Sequence, residues 1–111
     1  MNVYISGPIT GQDLWKTKAT FYKVWCDAVH TGHSAVDPTD MYSWDLTWET
    51  YMRIALDILE SGEIDLMIML PGWRKSKGAC VEHYWAKNYG IRIAYQTESG
   101  KYSLEGDNGR T

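Results

Sequence analysis

The chain is short of the features that mark several large classes of protein. It has only two cysteines, Cys26 and Cys80, and they form no Cys-x-x-Cys and no disulfide framework. Reduced thiols of this kind point to a cytoplasmic protein. No run of residues approaches the roughly 20 apolar positions that a bilayer span needs, so no membrane partner is expected. The opening Met1-Asn2-Val3-Tyr4-Ile5-Ser6-Gly7-Pro8 lacks a basic start and a long apolar stretch, and reads as a first strand rather than a leader. Basic residues are not in excess either. The net charge is −3 with both signs interspersed, without the basic stripe of a nucleic-acid groove. Polymeric DNA or RNA is therefore not an expected partner, whereas a single nucleotide is not excluded. His30, His33 and His83 match neither a His-Glu-x-x-His helix nor a zinc knuckle, so no metal and no cofactor is expected. Internal repeats and low-complexity linkers are absent as well.

What remains fits one folded α/β domain. At 111 residues there is room for a single modest core, and 44% hydrophobic content suffices to bury one. Asn2 to Ser6 alternates and stops at Gly7-Pro8, as a strand followed by a loop does. From Asp13, a capping residue, to His30 the residues Leu14, Phe21, Trp25, Ala28 and Val29 recur at helical spacing, and Gly32 supplies the stop. Ser34 to Val36 is a short second strand, and Met41 to Leu46 a loop. Thr47 caps a helix to about Glu60 with Tyr51, Met52, Ala55, Leu56 and Leu59 inward. Ile64 to Leu70 is the nearly continuous apolar run of a strand covered on both faces. A third helix is expected over Gly78 to Tyr89, a strand over Ile91 to Tyr95, and a short edge strand over Lys101 to Leu104. The domain then covers residues 1–96, with a polar tail over 97–111. The six tryptophans are expected to be mostly core, and function is assigned to Trp73 alone.

Strands alternating with helices predict βαβ units and a four- or five-stranded parallel sheet. Ligands of such sheets bind beyond the carboxyl ends of the strands. That rule selects Gly7 to Gly11, Asp37 to Ser43 and Pro71 to Gly78, with the active face at Ser76-Lys77-Gly78-Ala79 and Glu82.

Glu82 is the most informative residue. It falls on the inward stripe Ala79, Glu82, Trp85, Ala86 and Tyr89, where a carboxylate is costly unless it is paired or used. A desolvated carboxylate near a helix N-terminus suits a nucleophile; capping its own helix or pairing with a lysine is the alternative. Asp57, between Leu56 and Ile58, is either a general acid or a solvated carboxylate at the helix edge. Ser76-Lys77-Gly78 precedes a helix N-terminus and is either an anion site or an ordinary turn. It lacks the Walker A spacing, and Gly7-Pro8-Ile9-Thr10-Gly11 lacks the Gly-x-Gly-x-x-Gly of a dinucleotide site. Tyr4 points to the site or packs. Trp73 stacks on a base or covers the core rim.

Three segments together resemble a known family: Tyr4 to Gly11, Tyr51-Met52-Arg53 through Asp57, and Leu70-Pro71-Gly72-Trp73-x-x-Ser76-x-Gly78-Ala79-x-x-Glu82. Over residues 2 to 95 the chain resembles the nucleoside 2-deoxyribosyltransferase-like superfamily, in a small branch found in phages and bacteria. The superfamily includes the deoxynucleoside 5′-monophosphate N-glycosidases. The resemblance implies a flavodoxin-like or Rossmann-like three-layer sandwich, and homo-oligomers whose subunits help complete each other's sites. It places the glutamate that attacks C1′ of the deoxyribose at Glu82 and an aspartate that handles the base at Asp57. The tyrosine that orients the nucleophile falls on Tyr4, and the serine that binds the 5′-phosphate or 5′-hydroxyl on Ser76. Gly7, Pro8, Thr10, Gly11, Trp73, Gly78 and Ala79 complete the expected substrate-binding set. The monophosphate glycosidases carry an arginine where this chain has Thr10, which leaves 5′-phosphate recognition open.

The expected activity is cleavage, by hydrolysis or transfer, of the N-glycosidic bond of a deoxynucleoside or its 5′-monophosphate. The alternative is a module of the same fold that binds a nucleotide without turnover.

Overall fold

The computed structural model describes residues 1–41 and 46–104. Its first strand, β1 (Asn2–Ser6), follows the expected alternation, and helix α1 (Leu14–His30) begins behind Asp13, whose carboxylate accepts from the Lys16 amide. After β2 (Ser34–Val36) comes a 3-10 turn at Pro38–Asp40. Thr47 caps helix α2 (Trp48–Glu60) by accepting from the Thr50 amide. Strand β3 (Leu66–Met69) is shorter than the apolar run that marks it, and a second 3-10 turn, Trp73–Lys75, follows. Helix α3 (Lys77–Asn88) starts one residue before the expected Gly78, because Ser76 rather than Lys77 is the cap. Strands β4 (Arg92–Gln96) and β5 (Tyr102–Leu104) close the order. The loop expected over Met41 to Leu46 and the end of the tail fall partly on residues 42–45 and 105–111, outside the described residues.

The sheet order is β2-β1-β3-β4-β5. The first four strands are parallel, with Ser6 opposite Met69 and Met69 opposite Tyr95. The fifth corrects the expectation of a wholly parallel sheet: β5 pairs antiparallel to β4, Tyr95 opposite Ser103. Only residues 97–101 separate the two strands, enough for a hairpin and far too few for a crossover. No helix of the described residues is long and apolar enough to cross a membrane.

Successive strand residues face opposite sides of the sheet. Val3, Ile5, Ile68 and Leu70 pack with Phe21 and Val24 of α1, joined by Tyr51 and Met52 of α2. Tyr4, Met67, Met69 and Ile93 pack with Ala55 and Leu59 of α2 and with Ala79 and Ala86 of α3. Two side chains assigned inward, Val29 and Tyr89, are exposed, and of the tryptophans Trp15 is 83% exposed. Tyr89 sits at the C-cap, where the inward stripe of α3 has run out. In α1 the buried stripe runs through Thr17 and Val24, one step round the helix from the expected one.

The carboxyl ends of β1 and β3 approach closely at Gly7. A Cβ there would lie 2.9 Å from Leu70 Cβ and 3.1 Å from its Cδ1, and Leu70 is fully packed. Gly7→Ala is expected to destabilise by about 1–3 kcal/mol through overpacking. The urea midpoint measures it; an unchanged midpoint would mean that Leu70 yields.

Candidate active site

Three of the four parallel strands end in loops on the face selected from the sequence, and one carboxylate ties the first strand to the third helix. Glu82, in the second turn of α3, is buried. The Tyr4 hydroxyl donates to its Oε2 at 2.5 Å, and the Ser6 hydroxyl donates to its Oε1 at 2.6 Å. Both donors come from β1, two residues apart and hence on the same face, while the acceptor comes from a helix 76 to 78 positions later. Burial pushes the Glu82 carboxyl up from 4.5 to about 7, and the Ser6 and Tyr4 hydrogen bonds pull the other way without overcoming it. Burial, together with the neighbouring Glu82 charge and Tyr51, holds the Tyr4 phenol well above its usual range. The result is a carboxyl group poised to titrate near neutrality, with both oxygens fixed in direction.

Around this centre the expected residues divide. Gly7 allows the close approach of β1 and Leu70. Pro8 is half-buried, and Thr10 and Gly11 are exposed at the tip of a turn closed by the Gln12 amide on the Ile9 carbonyl, with Gly11 at φ +81°. Ser76 caps α3, its Oγ accepting from the Ala79 amide at 3.2 Å. Gly78 matters for packing: a Cβ would meet Met52 Sδ at 3.3 Å and Trp48 Nε1 at 3.6 Å, so the bare backbone lets α3 start against the first turn of α2. Lys77 lays its ammonium 4.4 Å from the Trp48 ring centroid. Ala79 is buried, one turn before Glu82.

Trp73 is half-buried, and its ring is already engaged. It stacks on His83 with centroids 4.3 Å apart, and the Arg74 guanidinium lies 4.8 Å from its centre. His83 Nε2 is 2.8 Å from the Tyr95 hydroxyl. These aromatic groups flank a cleft of about 310 Å³ beyond the carboxyl ends of β3 and β4, walled by Pro71–Lys75 and Tyr95–Glu98. At the end of β2, Asp37 is buried and accepts from the Thr39 amide at 2.9 Å and the Thr39 hydroxyl at 2.6 Å. Burial raises its carboxyl despite those bonds.

Asp57 is not brought to this centre. It is exposed on α2 and borders a cleft of about 530 Å³ with Asn2, Ser34 and Glu63, by the amino ends of β1 and β2. Three groups were not singled out from the sequence. Ser6 has a signal, since it follows Tyr4 by two positions on a strand. Tyr51, which hydrogen-bonds Tyr4, and the His83–Tyr95 pair have none, because they meet only through tertiary packing. Among the described residues no group of three or more His, Cys, Asp or Glu side chains could hold a metal ion.

A mostly parallel α/β sheet with a buried carboxylate clamped by two hydroxyls near its carboxyl ends defines the class. The chain belongs to the family described as Domain of unknown function (DUF4406), which matches residues 1–95. No curated protein and no solved structure matches it.

Proposed function

We propose that this protein cleaves the N-glycosidic bond of a deoxynucleoside or deoxynucleoside 5′-monophosphate, with Glu82 as nucleophile. The observation that carries the proposal is the clamp on Glu82: two hydroxyl donors aim a carboxylate whose desolvation strengthens it as a base and a nucleophile. Ionised Glu82 attacks C1′; the C1′–O bond forms as the C1′–N bond breaks, and the bonding pair leaves with the base, which takes up a proton from solvent water. Water then attacks the glycosyl ester, giving the free sugar and regenerating the carboxylate, as in retaining glycosidases. A second base in place of water gives transfer. Tyr4 and Ser6 hold the attacking oxygens throughout. The strand order 2-1-3-4-5 supports a flavodoxin-like sandwich around this site. The two free cysteines support a cytoplasmic setting. The partner is then a small nucleoside or nucleotide, met by a homo-oligomer.

A second reading rests on the 3% exposure of Glu82, which suits a module that binds a nucleotide without turning it over. One experiment separates the two. The protein is incubated with each deoxynucleoside and its 5′-monophosphate, and free base is followed by chromatography, alongside Glu82→Gln and Asp57→Asn. Base release that vanishes in Glu82→Gln supports the glycosidase. Saturable binding without release favours the binding module. Because Asp57 lies away from Glu82 in its own chain, Asp57→Asn is expected to keep the rate within about threefold; a loss beyond about 100-fold would assign it general-acid work at a site shared between subunits.

A further inference from the structure

Helix α1 carries an apolar face that no part of the described chain covers. Trp15, Tyr22 and Val29, seven residues apart, are 83%, 60% and 38% exposed. Ala19 and Cys26 lie between them on the same side, and Trp25 stacks beside Tyr22 at 5.8 Å. A 3.5-residue repeat of this kind is the seam of a helix pair. The side of α1 turned to the sheet is already filled by Thr17, Phe21, Val24 and Ala28, so this is a second face.

The charges beside the seam say what covers it. One exposed flank reads Asp13, Lys16, Thr20, Lys23, Asp27 and His30. Antiparallel to a copy of itself, this row places Lys16 opposite Asp27 of the second copy, Thr20 opposite its Lys23 and Asp13 opposite its His30. Tyr22 then lies beside its own counterpart at the two-fold axis. Every pair is opposite in sign or has a neutral member. Antiparallel pairing also opposes the two helix dipoles.

We infer that α1 is the homodimer interface of this protein, packed antiparallel on α1 of a second copy through Trp15, Tyr22 and Val29. Such an interface is isologous. It is independent of the reaction at Glu82. A pair of 17-residue helices about 25 Å long covers less than a standard interface, so the dimer dissociates in the micromolar range.

Sedimentation velocity on the full chain, from about 1 to 200 µM, tests this. The expected result is a shift from monomer to dimer across that range, abolished by Trp15→Asp. Lys16→Glu weakens the dimer about tenfold or more, and Lys16→Glu combined with Asp27→Lys restores it to within about threefold. Thermal melting accompanies each variant at a concentration where the wild type is monomeric; there these exposed positions should leave it unchanged, so a lost dimer is not a lost fold. A protein that is monomeric throughout, a dimer indifferent to Trp15→Asp, or a charge swap that fails to restore association would overturn the inference. The middle outcome would move the interface to another face, such as the one where α2 meets α3.

Discussion

Glu82→Gln is expected to be more stable than the wild type at alkaline pH and to turn over substrate at least ~10³-fold more slowly. The stability effect follows from the buried carboxyl alone. Its value is about 7 in the folded protein and 4.5 when unperturbed. Between those values the native state holds a proton that the unfolded chain has released, so the wild type loses stability as pH rises. The contribution is fully present below the unfolded value and gone above the folded one. Two and a half pH units correspond to about 3 kcal/mol. Glutamine keeps the shape, and one hydroxyl of the Tyr4–Ser6 pair rotates to accept from its amide. The difference in unfolding free energy between variant and wild type should therefore grow by about 3 kcal/mol from pH 4.5 to 8.5. Urea titrations at a series of pH values measure it, and a difference that stays flat would mean that Glu82 does not titrate in that window. The loss of turnover rests on the proposed reaction, so the two halves fail separately.

Tyr4→Phe removes the 2.5 Å donor from the same carboxylate without opening a large cavity. The ionised form loses more than the protonated one, since hydrogen bonds to charge contribute about 1.5–3 kcal/mol and neutral ones about 0.5–1.5. Above pH 8 the variant should be less stable than the wild type by the larger amount, and at pH 5 by the smaller. Turnover, if it depends on ionised Glu82, should fall and its pH midpoint should move to the alkaline side of 7. A midpoint that stays in place while the rate drops would reassign Tyr4 from the carboxylate to the substrate. Tyr51, bonded to the Tyr4 hydroxyl, loses a partner in the same variant, and Tyr51→Phe is the control for that contribution.

The burial of Glu82 was legible because a carboxylate in the middle of an apolar helical stripe has nowhere else to point. Asp57 shows the limit of the same reasoning. Leu56 and Ile58 flank it in sequence, yet neighbours on a helix are turned about 100° apart, so apolar neighbours do not bury the residue between them. The caps at Asp13 and Thr47 were readable since each is local chemistry within three residues. Ser76 is also such a cap, and the glycine after it drew the helix start one residue too far. The direction of β5 turns on the brevity of its hairpin, which outweighs the alternation of strands and helices before it. The shift of the α1 stripe came from Thr17, a polar residue that is buried and so hides the inward face. The partnership of His83 with Trp73 and Tyr95 joins three separate elements and leaves no trace in any one of them.

The chain opens with a strand that ends up inside the sheet. During synthesis β1 can pair with β2 as soon as residue 36 has emerged, but its other edge waits for β3, which starts at Leu66. Until then a ribosome-bound chain displays an unpaired, strongly apolar strand edge, the kind that sticks to its neighbours or calls for a chaperone. Tyr4 and Ser6 wait longer still, for Glu82. The clamp on the carboxylate can close once β3 and the first half of α3 have been made, before β4 joins the sheet, which makes it a marker of an advanced stage of folding as well as a candidate centre of chemistry.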